Sequence, residues 1–385
     1  MNRRWPGGSL VALSLSASWA VAQEGAIPAP IEPERVTSET EIAPGPNLFV
    51  VSPGRGGAGA ITILSVDDLS YKGNFTTGMG GQLFLRPDAT VGYVASAFAE
   101  RITYGPIKAY LQKFDVATLK TTQEVELPPK MALTMAQQPA LAISRDGNWA
   151  YVQNATPATS VTVIDMRTGT VASEIPNPGC WGIYLAPRGS KFSSLCGDGS
   201  ILTVNLDSGG KLESQASTPS VFDVDAEPLF VHSARVDGNL VFSTFNGKFV
   251  TVSDAGRSAR VVDSWSYTDG IDGDWAPGGY QILAYNEPNR VMFVTMHSGA
   301  TNGSHKNGSK ELWAIDMRAK RVLYRSYAEH LTHIAVTGDA EAPVLFGVAG
   351  EDGSISRYEI DPSAKFAAKF AGSAQIMNAG YLVVQ

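Results

Sequence analysis

The sequence predicts an all-β fold, a seven-bladed β-propeller in a single domain, from three observations. A turn centred on Asp or Asn recurs seven times, each time after a short β-rich run. Further turns of the Asp-Gly type separate other pairs of such runs, and no long apolar stretch has helical periodicity. This period is typical of propeller blades, because one blade cannot bury both of its faces until neighbours stack around an axis.

The recurring turn residues lie mostly forty to fifty residues apart. They are Asp67, Asp115, Asp165, Asn205, Asp254, Asp316 and Asp361. Preceding runs such as Val161–Ile164 are short and rich in β-branched or aromatic residues. Hairpin turns such as Ser144–Gly147 then predict about four antiparallel strands in each repeat. A two-domain β-sandwich is the alternative architecture.

The apolar segment Ala379–Val384 at the end of the chain predicts a last strand. We expect it to pair with Leu48–Val51, because a propeller removes its open edges by joining its two chain ends.

The N-terminus has the pattern of a secretory signal peptide over residues 1–22. Arg3 and Arg4 precede an apolar stretch, and small residues lead to cleavage near Ala22. An uncleaved membrane anchor is the alternative; no later segment is long and apolar enough to span a membrane. Residues 23–47 are rich in Pro and predict an extended N-terminal arm or a disordered leader, followed by the propeller at 48–385.

The net charge of −7 argues against a nucleic-acid partner, which would need a basic patch to neutralise phosphates. Binding to a basic protein surface stays open. The chain has two cysteines, Cys180 and Cys196, which in an exported protein predict one disulfide. Two free or metal-binding thiols are the alternative.

The residues alone identify no catalytic, cofactor-binding or metal site in this chain. His330 and His333 have a spacing that would share a face only on a helix, and this segment lacks helical context. His297 and His305 flank a loop that either contacts a partner or turns a corner. A calcium site at Asp269, Asp272 and Asp274 competes with a simple solvated acidic loop.

Several turn segments are longer and more distinctive than a propeller requires. They are Gln153–Ser160, Gly179–Trp181, Cys196–Leu206, Ala276–Tyr280, and Met296-His297 with His305-Lys306. In order and spacing they resemble the large subunit of tryptophan tryptophylquinone-dependent amine dehydrogenases, from about Leu48 to the C-terminus. Glu100–Thr103 and Leu127–Lys130 resemble the aromatic amine branch more than the methylamine branch.

The resemblance implies a periplasmic heterotetramer of two large and two small subunits. In that family the small subunit carries the tryptophan tryptophylquinone and the catalytic Asp, so the catalytic residues are expected on the partner. The enzyme would oxidise a primary amine to an aldehyde and ammonia, and electrons would pass to a cupredoxin-type copper protein. The large subunit would hold the small one and wall the substrate channel.

One channel residue is implied by the same resemblance. The family places a Phe at the channel mouth in the segment that matches Thr76–Gly81, and here Met79 occupies that position. Because Met is unbranched and adaptable, the channel is expected to admit a different amine. Phe75 and Phe84 are the other candidates for a ring there. A stand-alone lactonase-like hydrolase and a propeller binding scaffold are the competing functions.

Overall fold

The short β-rich runs form strands, and the recurring Asp residues stabilise the turns that follow them. The computed structural model describes residues 39–54, 56–133, 137–350 and 352–385. In it the carboxylate of Asp115 accepts a hydrogen bond from the backbone N–H of Thr118 at 2.8 Å. Asp316 accepts one from Arg318 at 2.9 Å, and Asp361 one from Ser363 at 2.8 Å. These Asp side chains satisfy backbone donors that the strands leave unpaired.

The strands form five separate four-stranded sheets and one eight-stranded sheet within the described residues. Sheet 1 contains β28 (Leu382–Val384), β1 (Asn47–Ser52), β2 (Gly59–Ser65) and β3 (Tyr71–Thr77). Sheet 2 contains β4 (Met79–Leu85), β5 (Val91–Arg101), β6 (Tyr104–Asp115) and β7 (Thr121–Leu127). Sheet 3 contains β8 (Leu141–Ile143), β9 (Trp149–Asn154), β10 (Ser160–Asp165) and β11 (Thr170–Pro176).

Sheets 4 and 5 continue the same antiparallel pattern. Sheet 4 contains β12 (Cys180–Leu185), β13 (Lys191–Cys196), β14 (Ile201–Leu206) and β15 (Leu212–Ser217). Sheet 5 contains β16 (Leu229–Val236), β17 (Asn239–Thr244), β18 (Lys248–Ser253) and β19 (Arg260–Ser266). Sheet 6 contains β20 (Trp275–Pro277), β21 (Leu283–Asn286), β22 (Val291–Ser298), β23 (Ser309–Asp316), β24 (Arg321–Val336), β25 (Val344–Ala349), β26 (Ser354–Asp361) and β27 (Ala367–Gln375).

The all-β propeller is confirmed, but the predicted number of blades is not. Five separate four-stranded blades are present in the described residues, not seven. The other strands join in sheet 6 because β24 continues for 16 residues without a break. Its first part pairs with β23 as far as Leu331, and its last part, from Leu331 to Val336, pairs with β25. Hydrogen bonding through β24 thus fuses two of the predicted repeats.

The predicted closure of the ring is confirmed. Strand β28 pairs with β1, with Leu48 opposite Val384 and Val50 opposite Leu382. The backbone N–H of Val51 also donates to the Tyr381 carbonyl at 3.0 Å. The hydroxyl of the buried Tyr381 is hydrogen-bonded to both backbone groups of Leu83 in the next sheet.

The core lies between neighbouring sheets rather than inside any one of them. Tyr151 of sheet 3 packs on Phe192 of sheet 4 with ring centroids 6.0 Å apart. First strands of adjacent sheets contact one another, as β4 does β8 and β8 does β12, so they surround the axis.

Each sheet is an antiparallel meander, so certain chain segments share one edge. The start of the first strand, the turn between the second and third strands, and the end of the fourth strand all lie there. We call this edge, the one at which β4 begins, the upper face, and the opposite edge the lower face. The hairpin of β5 and β6 rises from the upper face, with its tip at Ile102 and Thr103.

The predicted signal peptide at residues 1–22 lies outside the described residues, as does the predicted arm up to residue 38. The rest of the arm lies against the ring. The Ile42 N–H donates to the Ala117 carbonyl at 2.8 Å, and Lys72 Nζ donates to the Pro44 carbonyl at 3.2 Å. None of the helices in the described segments is long and apolar enough to cross a membrane.

Candidate functional site on the upper face and axis

Met79, the predicted channel residue, begins β4 at the upper face. It is half-buried and lies opposite Ala97 of β5. The pairing of β4 and β5 shifts between Met79 and Gln82, which marks a bulge at the two intervening glycines. Because a bulge redirects the side chains beside it, this irregularity sets the direction of Met79.

The glycines around Met79 are required for close packing rather than for flexibility. A Cβ on Gly78 would lie 2.2 Å from the Ala97 carbonyl oxygen, and one on Gly81 would lie 2.8 Å from Thr77 Oγ1. Gly80 has a φ of +63° and donates its N–H to the Pro53 carbonyl at 2.6 Å. This backbone around Met79 is therefore tightly held.

The two alternative aromatic residues do not lie at the upper end of β4. Phe75 is buried and stacks on Phe114 with ring centroids 4.4 Å apart, so it belongs to the core. Phe84 lies near the lower end of β4 and packs edge-on against Tyr93 at 6.4 Å. Met79 therefore remains the candidate for this part of the upper face.

The predicted disulfide is confirmed. Cys180 and Cys196 face each other across β12 and β13, with Cα atoms 3.9 Å apart, and both are buried. The Gly197 N–H donates to the Gly179 carbonyl at 2.9 Å, which continues the same pairing beyond the strands. The bond thus joins the start of a first strand to a turn of the upper face, where a sheet frays most easily.

Seven of the fifteen exposed large apolar side chains in the described residues lie along the upper face. They are Phe98, Ile102, Tyr104, Leu133, Val224, Tyr280 and Met377. Ile102, at the hairpin tip, is 82% exposed. Exposed apolar side chains that gather on one face are typical of a protein–protein interface.

A short segment crosses the axis beneath the upper face. The 3₁₀ turn Gln138–Ala140 and the preceding Gln137 contact five sheets, and we call residues 137–140 the axial plug. The Gln137 N–H donates to Gln82 Oε1 at 2.9 Å, and Trp181 Nε1 donates to Gln137 Oε1 at 2.9 Å. Gln138 Nε2 donates to the Leu382 carbonyl at 3.3 Å.

Two histidines lie next to the axial plug, His232, which is buried, and His333, which is half-buried. His232 Nε2 is 3.2 Å from Gln138 Oε1, and His333 stacks on Tyr280 with ring centroids 5.6 Å apart. Burial lowers the pKa of His232 to about 4. Burial, together with the charge of His232, lowers the pKa of His333 to about 3. Both imidazoles are therefore neutral near pH 7.

The other histidines considered in the sequence analysis lie apart from one another. His330 occupies the middle of β24 with a φ of +46°, and His333 follows on the same strand, so the two do not share a helix. His305 stacks on Phe245 at 4.2 Å and turns the loop after β22. Among the described side chains, no group of three or more His, Cys, Asp or Glu is placed to hold a metal ion.

The axial plug and His232 were not predicted from the sequence. Pro139 gave a local signal for a turn, but the partners of the plug come from strands far apart in the chain. No spacing rule for a single strand or helix connects such residues.

Fold and site together define an all-β propeller with a disulfide-stapled, partly apolar upper face and a polar axial plug. The family model for the methylamine dehydrogenase heavy chain matches residues 60–368. The chain belongs to this family.

Two relatives illustrate the distance within the family. The methylamine dehydrogenase heavy chain of Methylobacillus flagellatus is 24% identical over 311 residues, covering 79% of this chain and 76% of the relative. That of Methylorubrum extorquens is 26% identical over 297 residues, covering 75% and 70%. The expected likeness to the aromatic amine branch stays a prediction.

Solved structures show the fold alone. The periplasmic gluconolactonase of Pseudomonas aeruginosa superposes with a TM-score of 0.62 at 15% identity, covering 88% of this chain and 98% of that one. A dihydro-heme d1 dehydrogenase superposes with a TM-score of 0.55 at 16% identity, covering 89% of this chain and 66% of that one.

Proposed function

We propose that this chain is the large, cofactor-free subunit of a quinoprotein amine dehydrogenase, an oxidoreductase acting on CH–NH2 donors. The family match over residues 60–368 carries the proposal. The exposed apolar side chains of the upper face support it, because a subunit that holds a partner needs such a surface.

The proposed partner is a short, cysteine-rich subunit, with two copies of each subunit in a heterotetramer. When bound, it supplies the tryptophan tryptophylquinone and the catalytic Asp for oxidation of a primary amine to an aldehyde and ammonia. A cupredoxin-type protein would accept the electrons. Location in the periplasm agrees with the disulfide, because disulfides persist in oxidising compartments.

The tryptophans described in this chain do not suit a quinone site. Trp275 and Trp313 are close, with ring centroids 5.5 Å apart, but Trp313 is fully buried. The Arg325 guanidinium lies 4.2 Å above the Trp275 ring, and Trp313 Nε1 donates to Glu311 at 2.7 Å. Trp313 thus belongs to the core and Arg325 stacks on Trp275, which supports placing the quinone on the partner.

The role of this chain in catalysis would be positional. The bulge and the tightly packed glycines hold Met79 at the channel mouth, where it limits the size of the entering amine and excludes water. The axial plug braces the first strands beneath this surface.

We also infer that the two halves of sheet 6 act as two blades. The last part of β24 takes the place of a first strand, with β25, β26 and β27 following in order. On this basis the ring is equivalent to seven blades.

Co-purification tests the assembly on the upper face. The tagged chain is expressed with a neighbouring short, cysteine-rich exported protein, as wild type and as Ile102→Asp. A charge at the hairpin tip is expected to reduce recovery of the partner about tenfold, because it leaves an unpaired charge in an apolar contact. Tyr71→Asp is the matched control: Tyr71 is 66% exposed but lies at the lower end of β3.

Full recovery of the partner with Ile102→Asp would place the contact elsewhere. Failure of the wild-type chain to bind the small protein would reject the subunit assignment. In that event the lactonase-like and scaffold functions would be tested on the isolated chain.

A further inference from the structure

The ring encloses a cavity on the lower side of the axial plug. Its volume is about 330 Å³, and apolar side chains such as Leu83, Ile183 and Val383 line it. Gln138 and His232 lie at its upper end, next to the plug. The cavity opens into a wider mouth of about 1080 Å³ on the lower face, and Phe84 and Leu185 line both spaces. A ligand would therefore enter from below.

His232 presents an unused acceptor at this cavity. The side chain is 7% exposed, and its Nδ1 has no hydrogen-bond partner among the described residues. Gln138 Oε1 can only accept, so the His232 Nε2 that contacts it at 3.2 Å carries the proton. Nδ1 is then a hydrogen-bond acceptor without a donor among the described residues. Because buried polar atoms are nearly always paired, we expect a ligand to supply that donor.

Four arginines line the mouth against two carboxylates, Asp146 and Glu287, so its lining has a net positive charge although the chain is negative overall. Arg86, Arg145 and Arg188 lie in the turns that follow the first strands of sheets 2, 3 and 4, and Arg235 lies beside them. Arg86 pairs with Asp88 at 3.2 Å and Arg235 with Asp254 at 2.9 Å. For Arg145 and Arg188 the described part of the chain offers no ion-pair partner, so two guanidinium groups are available to an anion.

We propose that this axial cavity binds a small organic monocarboxylate with an apolar body and a hydroxyl group at its far end. The carboxylate pairs with Arg145 and Arg188, since guanidinium matches carboxylate geometry. The body packs on the apolar wall, and the hydroxyl donates to His232 Nδ1. The site lies across the plug from the upper face, so the proposal goes beyond the proposed function and does not depend on a quinone-bearing partner.

Three matched probes test the site by calorimetry on the full chain. They are 4-hydroxyphenylacetate, phenylacetate, which lacks the hydroxyl, and 4-methylphenol, which lacks the carboxylate. We expect 4-hydroxyphenylacetate to bind most tightly and each of the others about tenfold more weakly, because each lacks one hydrogen-bonding group. Equal affinities, or no binding in the low millimolar range, would overturn the proposal.

Substitutions at the mouth test which residues contact the carboxylate end of the ligand. Arg145→Gln combined with Arg188→Gln is expected to weaken 4-hydroxyphenylacetate about tenfold and leave 4-methylphenol unchanged. Arg318→Gln, an exposed arginine in the turn after β23, is the control and should change neither. Unaltered binding of 4-hydroxyphenylacetate to the double variant would show that Arg145 and Arg188 do not bind the carboxylate.

The histidine is tested without relying on a variant that could fail to fold. In the wild-type chain labelled with ¹⁵N-histidine, 4-hydroxyphenylacetate should shift the His232 Nδ1 resonance and phenylacetate should not. His232→Gln should abolish the preference for 4-hydroxyphenylacetate over phenylacetate. An Nδ1 resonance that responds to neither probe would reject the hydrogen bond.

Discussion

Met79 is the residue on which the proposed substrate selectivity depends. The structure holds its backbone through the Gly80 hydrogen bond to Pro53 and the close contact between Gly78 and Ala97. A change of side chain here should alter the channel mouth while the local backbone stays in place. Selectivity and folding can therefore be separated at this position.

Met79→Phe is expected to lower kcat/KM for 2-phenylethylamine about tenfold relative to methylamine in the assembled enzyme. A rigid ring narrows the mouth, and pocket contacts of this size discriminate by about this factor. Met377→Phe, at an exposed position of the same face, should leave the ratio unchanged. Unchanged relative rates in Met79→Phe would reject the channel assignment.

The two histidines next to the axial plug give the fold a distinct dependence on pH. The pKa is about 4 for His232 and about 3 for His333, both below the ordinary value near 6.5. As the pH falls below about 6.5, the unfolded chain binds protons that the folded chain does not, so stability decreases. The turn carboxylates affect stability only at lower pH. Hydrogen bonds from Ser200 hold the pKa of Asp198 below its usual range, so the stability that this ionised carboxylate contributes is lost only below about pH 4.

Urea unfolding at pH 7.5 and pH 5 checks this expectation. Each of these two histidines should lower the free energy of unfolding by up to about 2 kcal/mol over this interval, since the loss is about 1.4 kcal/mol per pH unit below the unfolded pKa. His232→Gln should reduce the loss by about one histidine's share. If the free energy of unfolding depended on pH identically in wild type and His232→Gln, His232 would not be a source of the pH dependence.

At the scale of elements, the disulfide holds one edge of sheet 4. It closes a loop of 16 residues between the start of β12 and the end of β13. In the chain-entropy model, a disulfide that closes a loop of this length stabilises the fold by about 3 kcal/mol. The same bond fixes Trp181, whose indole donates to the axial plug.

Replacement of both cysteines by serine is expected to lower the free energy of unfolding by about 3 kcal/mol. Chemical denaturation of the full chain measures this, and wild type under reducing conditions should approach the variant. A midpoint equal to that of the oxidised wild type would show that the bond contributes no stability.

The strand pattern was predictable because its signals are local. The turn residues Asp115, Asp316 and Asp361 mark strand ends through hydrogen bonds to residues two or three positions away. Closure by β28 followed from the need to pair an open edge. The continuity of β24 was not predictable, since Arg321–Val336 contains neither a Pro nor a Gly to mark the point where the chain passes from one repeat to the next.

At the scale of the whole molecule, the site depends on contacts between distant parts of the chain. The axial plug joins Gln82, Trp181 and His232 through residues that no sequence pattern groups together. The resemblance indicated Met79 and the partner subunit, whereas the axial cavity emerged only from the assembled ring. A ring with a stapled, partly apolar upper face is suited to holding a second subunit.

We propose that this chain holds a quinone-bearing subunit and has no amine-oxidising activity alone. The most direct measurement is amine-dependent dye reduction, together with the visible absorbance of the quinone, for the isolated chain and for the chain assembled with its small partner. We expect neither signal from the isolated chain and both from the assembly. Dye reduction by the isolated chain, or an inactive assembly containing the intact quinone subunit, would reject the subunit assignment.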